Sequence, residues 1–156
     1  MSQMSADFFS FALVVSPEAA HRAAAGLARL ETTYKDNVYL DCGPDALDVL
    51  GVELGEGMFV MSPNYPAFVT LDRFGCGRAL LGGHAFRHIA HAELAAWRPK
   101  WESIRDASGF VDRVVPHLDR GGDARTDVTG AITAIDLALD DAEARGMDLV
   151  LACVIA

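Results

Sequence analysis

The sequence predicts a single α/β or α+β domain, in which helices cover a small mixed sheet of about four or five strands and the N-terminal and C-terminal strands both lie in that sheet. Two runs carry this assignment. Phe8-Phe9-Ser10-Phe11-Ala12-Leu13-Val14-Val15 is aromatic and branched, as a strand requires, and Leu149 to Ile155 is uncharged throughout, as a strand covered on both faces requires. Between them no repeat, low-complexity tract or linker breaks the pattern, so residues 1–156 read as one domain. A chain of 156 residues with 51% hydrophobic and 22% charged residues lies in the globular range. At that length roughly 70% of the unfolded chain's surface is buried on folding.

The elements follow in order. Ser16 is a suitable N-cap and Pro17 a suitable first helical residue, and Ala20, Ala23, Leu27 and Leu30 recur at helical spacing, so residues 17–30 read as a helix. Val38 to Asp41 is a short strand closed by Gly43-Pro44, and Asp45 to Leu50 makes one or two helical turns. Met58 to Met61 reads as a strand, Ser62 to Pro66 as a turn, and Ala67 to Leu71 as either a strand or a short helix. Gly75, Gly77, Gly82 and Gly83 bracket an irregular stretch. His84 to Ala96 has helical period, Pro99 interrupts it, and Trp101 to Ile104 starts another turn. Ser108 caps a helix reaching about Leu118. Thr126 or Asp127 caps the last helix, whose buried face is Val128, Ile132, Ile135, Leu139 and Ala142, and Gly146 ends it.

Charge and cysteine usage narrow the function. Asp and Glu number 22 against 13 Lys and Arg, a net charge of −9. That field repels phosphate backbones and anionic lipid, which argues against nucleic-acid and membrane partners and suits a protein partner of basic charge. Cys42, Cys76 and Cys153 are odd in number and irregular in spacing, which points to a reducing compartment. The apolar runs are too short for a membrane span and no basic leader precedes them, so a cytoplasmic location is expected.

Several sets of residues are candidates for chemistry. His84, His88 and His91 would form one stripe on a helix, and with Cys76 they make a donor set for zinc or another transition metal. No metal or other cofactor is required by the pattern, because the glutamate of the paired-histidine zinc motif is absent. Gly75, Gly77 and Arg78 resemble half of a phosphate-binding turn, an anion or ligand loop. No G-x-S-x-G elbow is present, and no catalytic residue can be named, so the reading leans away from an enzyme. Asp136, Asp140, Asp141 and Glu143 make an acidic helix face with Arg145 nearby, a docking surface for a basic partner. Trp97, Trp101 and Tyr65 are possible interface anchors, with core packing the commoner fate of such residues.

Several segments together resemble the YfbM-like family of small bacterial proteins. They are the opening strand before Ser16-Pro17-Glu18, the Leu40-Asp41 step before a short helix ending in Leu50-Gly51, the Arg78-Ala79-Leu80-Leu81-Gly82-Gly83 stretch, and the closing helix, Gly146 and terminal strand. The resemblance implies a compact α/β fold and carries over no reaction or catalytic residue. Three functions follow from the residues. The first is an acidic protein-binding module, of immunity or antitoxin type. The alternatives are a metal-dependent protein using the histidine stripe, and a small-molecule sensor or structural subunit with the Gly75–Gly83 stretch lining a pocket. Self-association is compatible with each.

Overall fold

The computed structural model describes residues 8–55, 59–60, 67–118 and 121–155. Six strands form one mixed sheet: β1 (Phe8–Val15), β2 (Glu31–Tyr34), β3 (Asn37–Asp41), β4 (Phe59–Val60), β5 (Phe86–Ile89) and β6 (Asp148–Ile155). The order is β2-β3-β6-β1-β4, and β5 also pairs with β6. The two long runs that define the class are neighbours at its centre, antiparallel from Phe8 opposite Ile155 to Val15 opposite Asp148. The other edge of β6 is shared end to end. β5 covers Leu149 to Ala152 in antiparallel register, and β3 runs parallel beside Val154 and Ile155.

Six α-helices lie on both faces: α1 (Pro17–Arg29), α2 (Ala46–Leu54), α3 (Ala67–Thr70), α4 (His91–Arg105), α5 (Phe110–Val114) and α6 (Ala124–Arg145). Alternation along the strands divides the core. Phe11, Leu13 and Val15 of β1 with Val150, Ala152 and Val154 of β6 face α1 and α2, where Ala20, Ala23, Leu27 and Leu50 are buried. Ala12, Val14, Leu149, Leu151 and Cys153 face the opposite layer, built from Phe68, Leu71, Trp101, Phe110, Val128, Ile135 and Leu139. The alanines of α1 permit close approach to the sheet. Trp97 and Trp101 belong to this second core, with Trp101 set edge-on to Phe110.

Local signals fix the outer helices. Ser16 Oγ accepts from Ala19 N–H at 3.2 Å, and Pro17 is the first helical residue of α1. Gly146 ends α6 in the left-handed conformation, and Met147 N–H closes on Ala142 O at 2.9 Å.

Other expectations are corrected. Residues 84–96 are not one helix, because Phe86 to Ile89 completes the second edge of the apolar strand β6 and only His91 onward is helical. Pro99 does not interrupt α4; it and Ala95, whose carbonyl loses its i+4 donor, both lie on the exposed face of the helix. Gly109 at φ +75°, not Ser108, precedes α5, which passes at Val115 into a 3₁₀ turn. A 3₁₀ turn, Gly121–Asp123, leads directly into α6, so neither Thr126 nor Asp127 is its cap. Ala67 to Thr70 is helical and runs into a π turn, Leu71–Gly75. β2 is a strand the sequence reading lacks. Its two-residue turn to β3, Lys35-Asp36, has φ of +49° and +68°, a hairpin conformation usually signalled by Asn-Gly. The Ser62–Pro66 turn and Tyr65 lie outside the described residues. Among those described, no helix is long and apolar enough to cross a membrane.

Candidate functional site

The three histidines fall on three different kinds of backbone. His84 ends a turn, His88 lies within β5, and His91 is the first residue of α4. His88 lies on a strand and His84 in the bend before it, so the two do not share the helical stripe that would gather them around one ion. Cys76 is buried in the second core. Among the described residues no group of three or more His, Cys, Asp and Glu side chains is placed to hold a metal.

His88 instead meets a carboxylate that the sequence reading overlooked. Its Nε2 lies 2.5 Å from Oδ2 of Asp148, a residue only 2% exposed at the head of β6, and Oδ1 of the same carboxylate accepts the His91 backbone N–H at 2.7 Å. Asp148 therefore ties β6 to β5 and caps α4, where Ala90 at the N-cap has no capping side chain. The sequence signal was a lone charge at the start of an otherwise apolar strand. His84 has its own acid, Glu31, at 3.7 Å, and the Glu31 carboxylate accepts Ala85 N–H at 2.8 Å.

The Gly75–Gly83 stretch does cradle an anion, but the anion is its own. Asp72 Oδ1 accepts N–H bonds from Leu80 at 3.0 Å and Leu81 at 2.6 Å, and Oδ2 accepts from Gly83 at 3.2 Å. Asp72 is 3% exposed. The amides of Leu80, Leu81 and Gly83 are thus committed within the fold, and Arg78 N–H is taken by Asp72 O at 2.8 Å. Gly77 and Arg78, both left-handed at φ +54° and +64°, shape the turn. Gly75 serves packing, since a Cβ there would lie 2.7 Å from Val114 and 2.8 Å from Phe110.

The acidic row of α6 is also answered from within. Arg98 of α4 reaches Asp140 and Glu143, each at 2.7 Å, and Arg105 reaches Asp136 at 3.0 Å. Trp101 Nε1 donates to Asp136 at 2.7 Å, and Arg145 pairs with Asp141 at 3.0 Å. Three of the four carboxylates, Asp136, Asp140 and Glu143, tie α6 to α4 through arginines 31 to 45 positions away, while Asp141 pairs within α6. On the face read from Asp136, Asp140, Asp141 and Glu143 each carboxylate is thus offset by an arginine, although Asp140 stays 66% exposed.

No cysteine is poised as a nucleophile. Burial pushes the Cys42 thiol up to about 11, helped by Asp41 and Glu53, and the Cys76 thiol up to about 12, with Asp72 adding to it and Arg113 opposing. Cys153, beside Ser10 Oγ at 3.6 Å, is also pushed up to about 12 by burial. Because the folded thiols hold protons more tightly than the unfolded ones, their contribution to stability is complete below about pH 9 and falls as pH rises through about 11 to 12. Labelling at pH near 8 with a colourless-to-coloured thiol reagent checks this: the native protein should react at least about a hundredfold more slowly than the denatured chain.

Glu31, His84 and His88 line an open groove of about 470 Å³, and a further open surface lies on α2. Val52 is 81% and Leu47 49% exposed, and Asp45 and Asp48 beside them are exposed too. Asp45, Asp48 and Val52 fall on one helical stripe. Between this helix and Phe9 and Phe11 of β1 lies an open groove of about 400 Å³, also lined by Pro44. Phe9, Phe11, Pro44 and Leu47 give the groove apolar walls, and Asp45 and Asp48 also line it. No family model, curated protein or solved structure matches this chain.

Proposed function

We propose that this protein is a binding module for a basic protein partner, which docks on α2. The observation that carries the reading is the pairing of Val52, 81% exposed, with exposed Asp45 and Asp48 on a chain of net charge −9. A matching occupant is a segment whose aliphatic residues cover Val52 and Leu47, whose lysines or arginines meet Asp45 and Asp48, and which seats a side chain against Phe9 and Phe11. The charges speed encounter and reject acidic competitors, while the apolar contacts supply affinity. The acidic face is thus transferred from α6, where internal arginines leave little to offer, to α2. An immunity- or antitoxin-type inhibitor is the form this activity takes when the basic partner is a toxin.

Site-specific photo-crosslinking in cells distinguishes this face from ordinary surface. A crosslinker at Val52 should capture a basic protein that a crosslinker at Leu137, 51% exposed on α6, does not. Reversing both charges, D45K with D48K, should weaken the purified complex about tenfold or more, and added salt should weaken the unaltered complex in the same direction. Equal capture from both positions, or an affinity indifferent to the reversal, rejects the reading.

A further inference from the structure

A separate cavity lies between α4, β5 and the turn that follows the π segment. It encloses about 240 Å³, and its walls are Cys76, Leu80, Trp97, Trp101 and Ile104. The two indoles are parallel, with planes 3° apart and centroids 6.0 Å apart. Burial keeps the Cys76 thiol neutral, so the interior carries no charge. A cavity of roughly 150 Å³ accepts benzene, and ordinary ligand pockets begin near roughly 300 Å³. This one is therefore suited to one ring with a short substituent.

Its rim reverses the character of the rest of the molecule. Acidic residues outnumber basic ones 22 to 13, yet the charged residues lining this cavity are Arg87 and Lys100, with no carboxylate among them. Arg87 Nη1 donates to Ala79 O at 2.6 Å, which fixes the guanidinium at the mouth and leaves its remaining donors available. Lys100 is exposed and has no ion-pair partner among the described residues. Two cations at the opening of an apolar, indole-walled slot suit a ligand with a ring at one end and one negative charge at the other. The overall field of −9 disfavours a dianion such as a phosphate monoester. We infer that this cavity is a binding site for a small aromatic carboxylate, with the ring against Trp97 and Trp101 and the carboxylate between Arg87 and Lys100. The inference is independent of docking on α2, which lies on the other side of the sheet.

The chain has two tryptophans and both line this cavity, so tryptophan emission reports on it directly. Phenylacetate and its uncharged counterpart phenylacetamide are titrated against the full chain and against K100E, whose exposed position leaves the core untouched. The expected result is a saturable emission change with phenylacetate, at an affinity at least about fivefold tighter than for the amide. K100E should weaken phenylacetate by about fivefold or more and leave the amide unchanged. Quenching that rises linearly without saturation, equal affinity for acid and amide, or a K100E protein that binds phenylacetate as the parent does would each overturn the assignment.

Discussion

Asp72→Ala is expected to lower the unfolding free energy by about 4 kcal/mol, read as a fall in the urea midpoint at unchanged slope. The Asp72 carboxylate is buried and accepts the N–H groups of Leu80, Leu81 and Gly83. Each buried amide left without an acceptor costs about 1 to 3 kcal/mol, reduced where water enters. Asp72→Asn should recover only part of this, because an amide brings an NH₂ group toward a cradle made of donors. Amide exchange separates the effect from general loosening: Leu80, Leu81 and Gly83 should lose protection while the β1 and β6 amides keep theirs. Uniform loss, or none, would contradict a role for Asp72 as the organiser of this turn.

The second large effect is expected at Asp148. Asp148→Ala removes the partner of a part-buried imidazole and the cap of a fifteen-residue helix in one step. Loss of the cap is worth about 1 kcal/mol, and loss of the charge-assisted bond about 2 kcal/mol, for a total near 3 kcal/mol. His88 is 25% exposed at its side chain, so water can replace some of that bond. A double-mutant cycle with His88→Ala isolates the pair, and a coupling of about 1 kcal/mol or more is expected. Coupling near zero would mean that Asp148 acts only through α4.

How much of this was legible in the sequence depended on how local the determinants were. The two central strands, α1 with Ser16 and Pro17, and α6 with Gly146 all rest on signals a few residues apart, and they appear in the structure as the elements expected, though their pairing was not legible. The histidine stripe failed because helical period at His84 to Ala96 competed with the unfilled edge of β6, some sixty residues later, and the edge prevailed. The acidic row misled for the same reason, since of the arginines that answer it only Arg145 lies on α6, while Arg98 and Arg105 come from α4. Asp148 was readable in principle, as a single charge at the head of an apolar run, whereas Asp72 is followed by Arg73 and looks like an ordinary surface pair; the acceptor roles of both depend on amides brought in by folding. The surface on α2 and the cavity at Trp97 are properties of the assembled layers. Only composition hinted at either.

The register of the two central strands has a kinetic consequence. Phe8 pairs with Ile155 and Val15 with Asp148, so partners stand 155 − 8 = 147 and 148 − 15 = 133 positions apart. Closing such long loops precedes the reward of pairing, which places this chain among slow folders. On the ribosome, the aromatic segment that begins at Phe8 must wait until Asp148 to Ile155 are made before its long edge is paired, although β4 can meet its other edge at Leu13 and Val14 earlier. For that interval the edge destined for β6 is an unmatched apolar ribbon, the kind of surface on which chaperones act during translation.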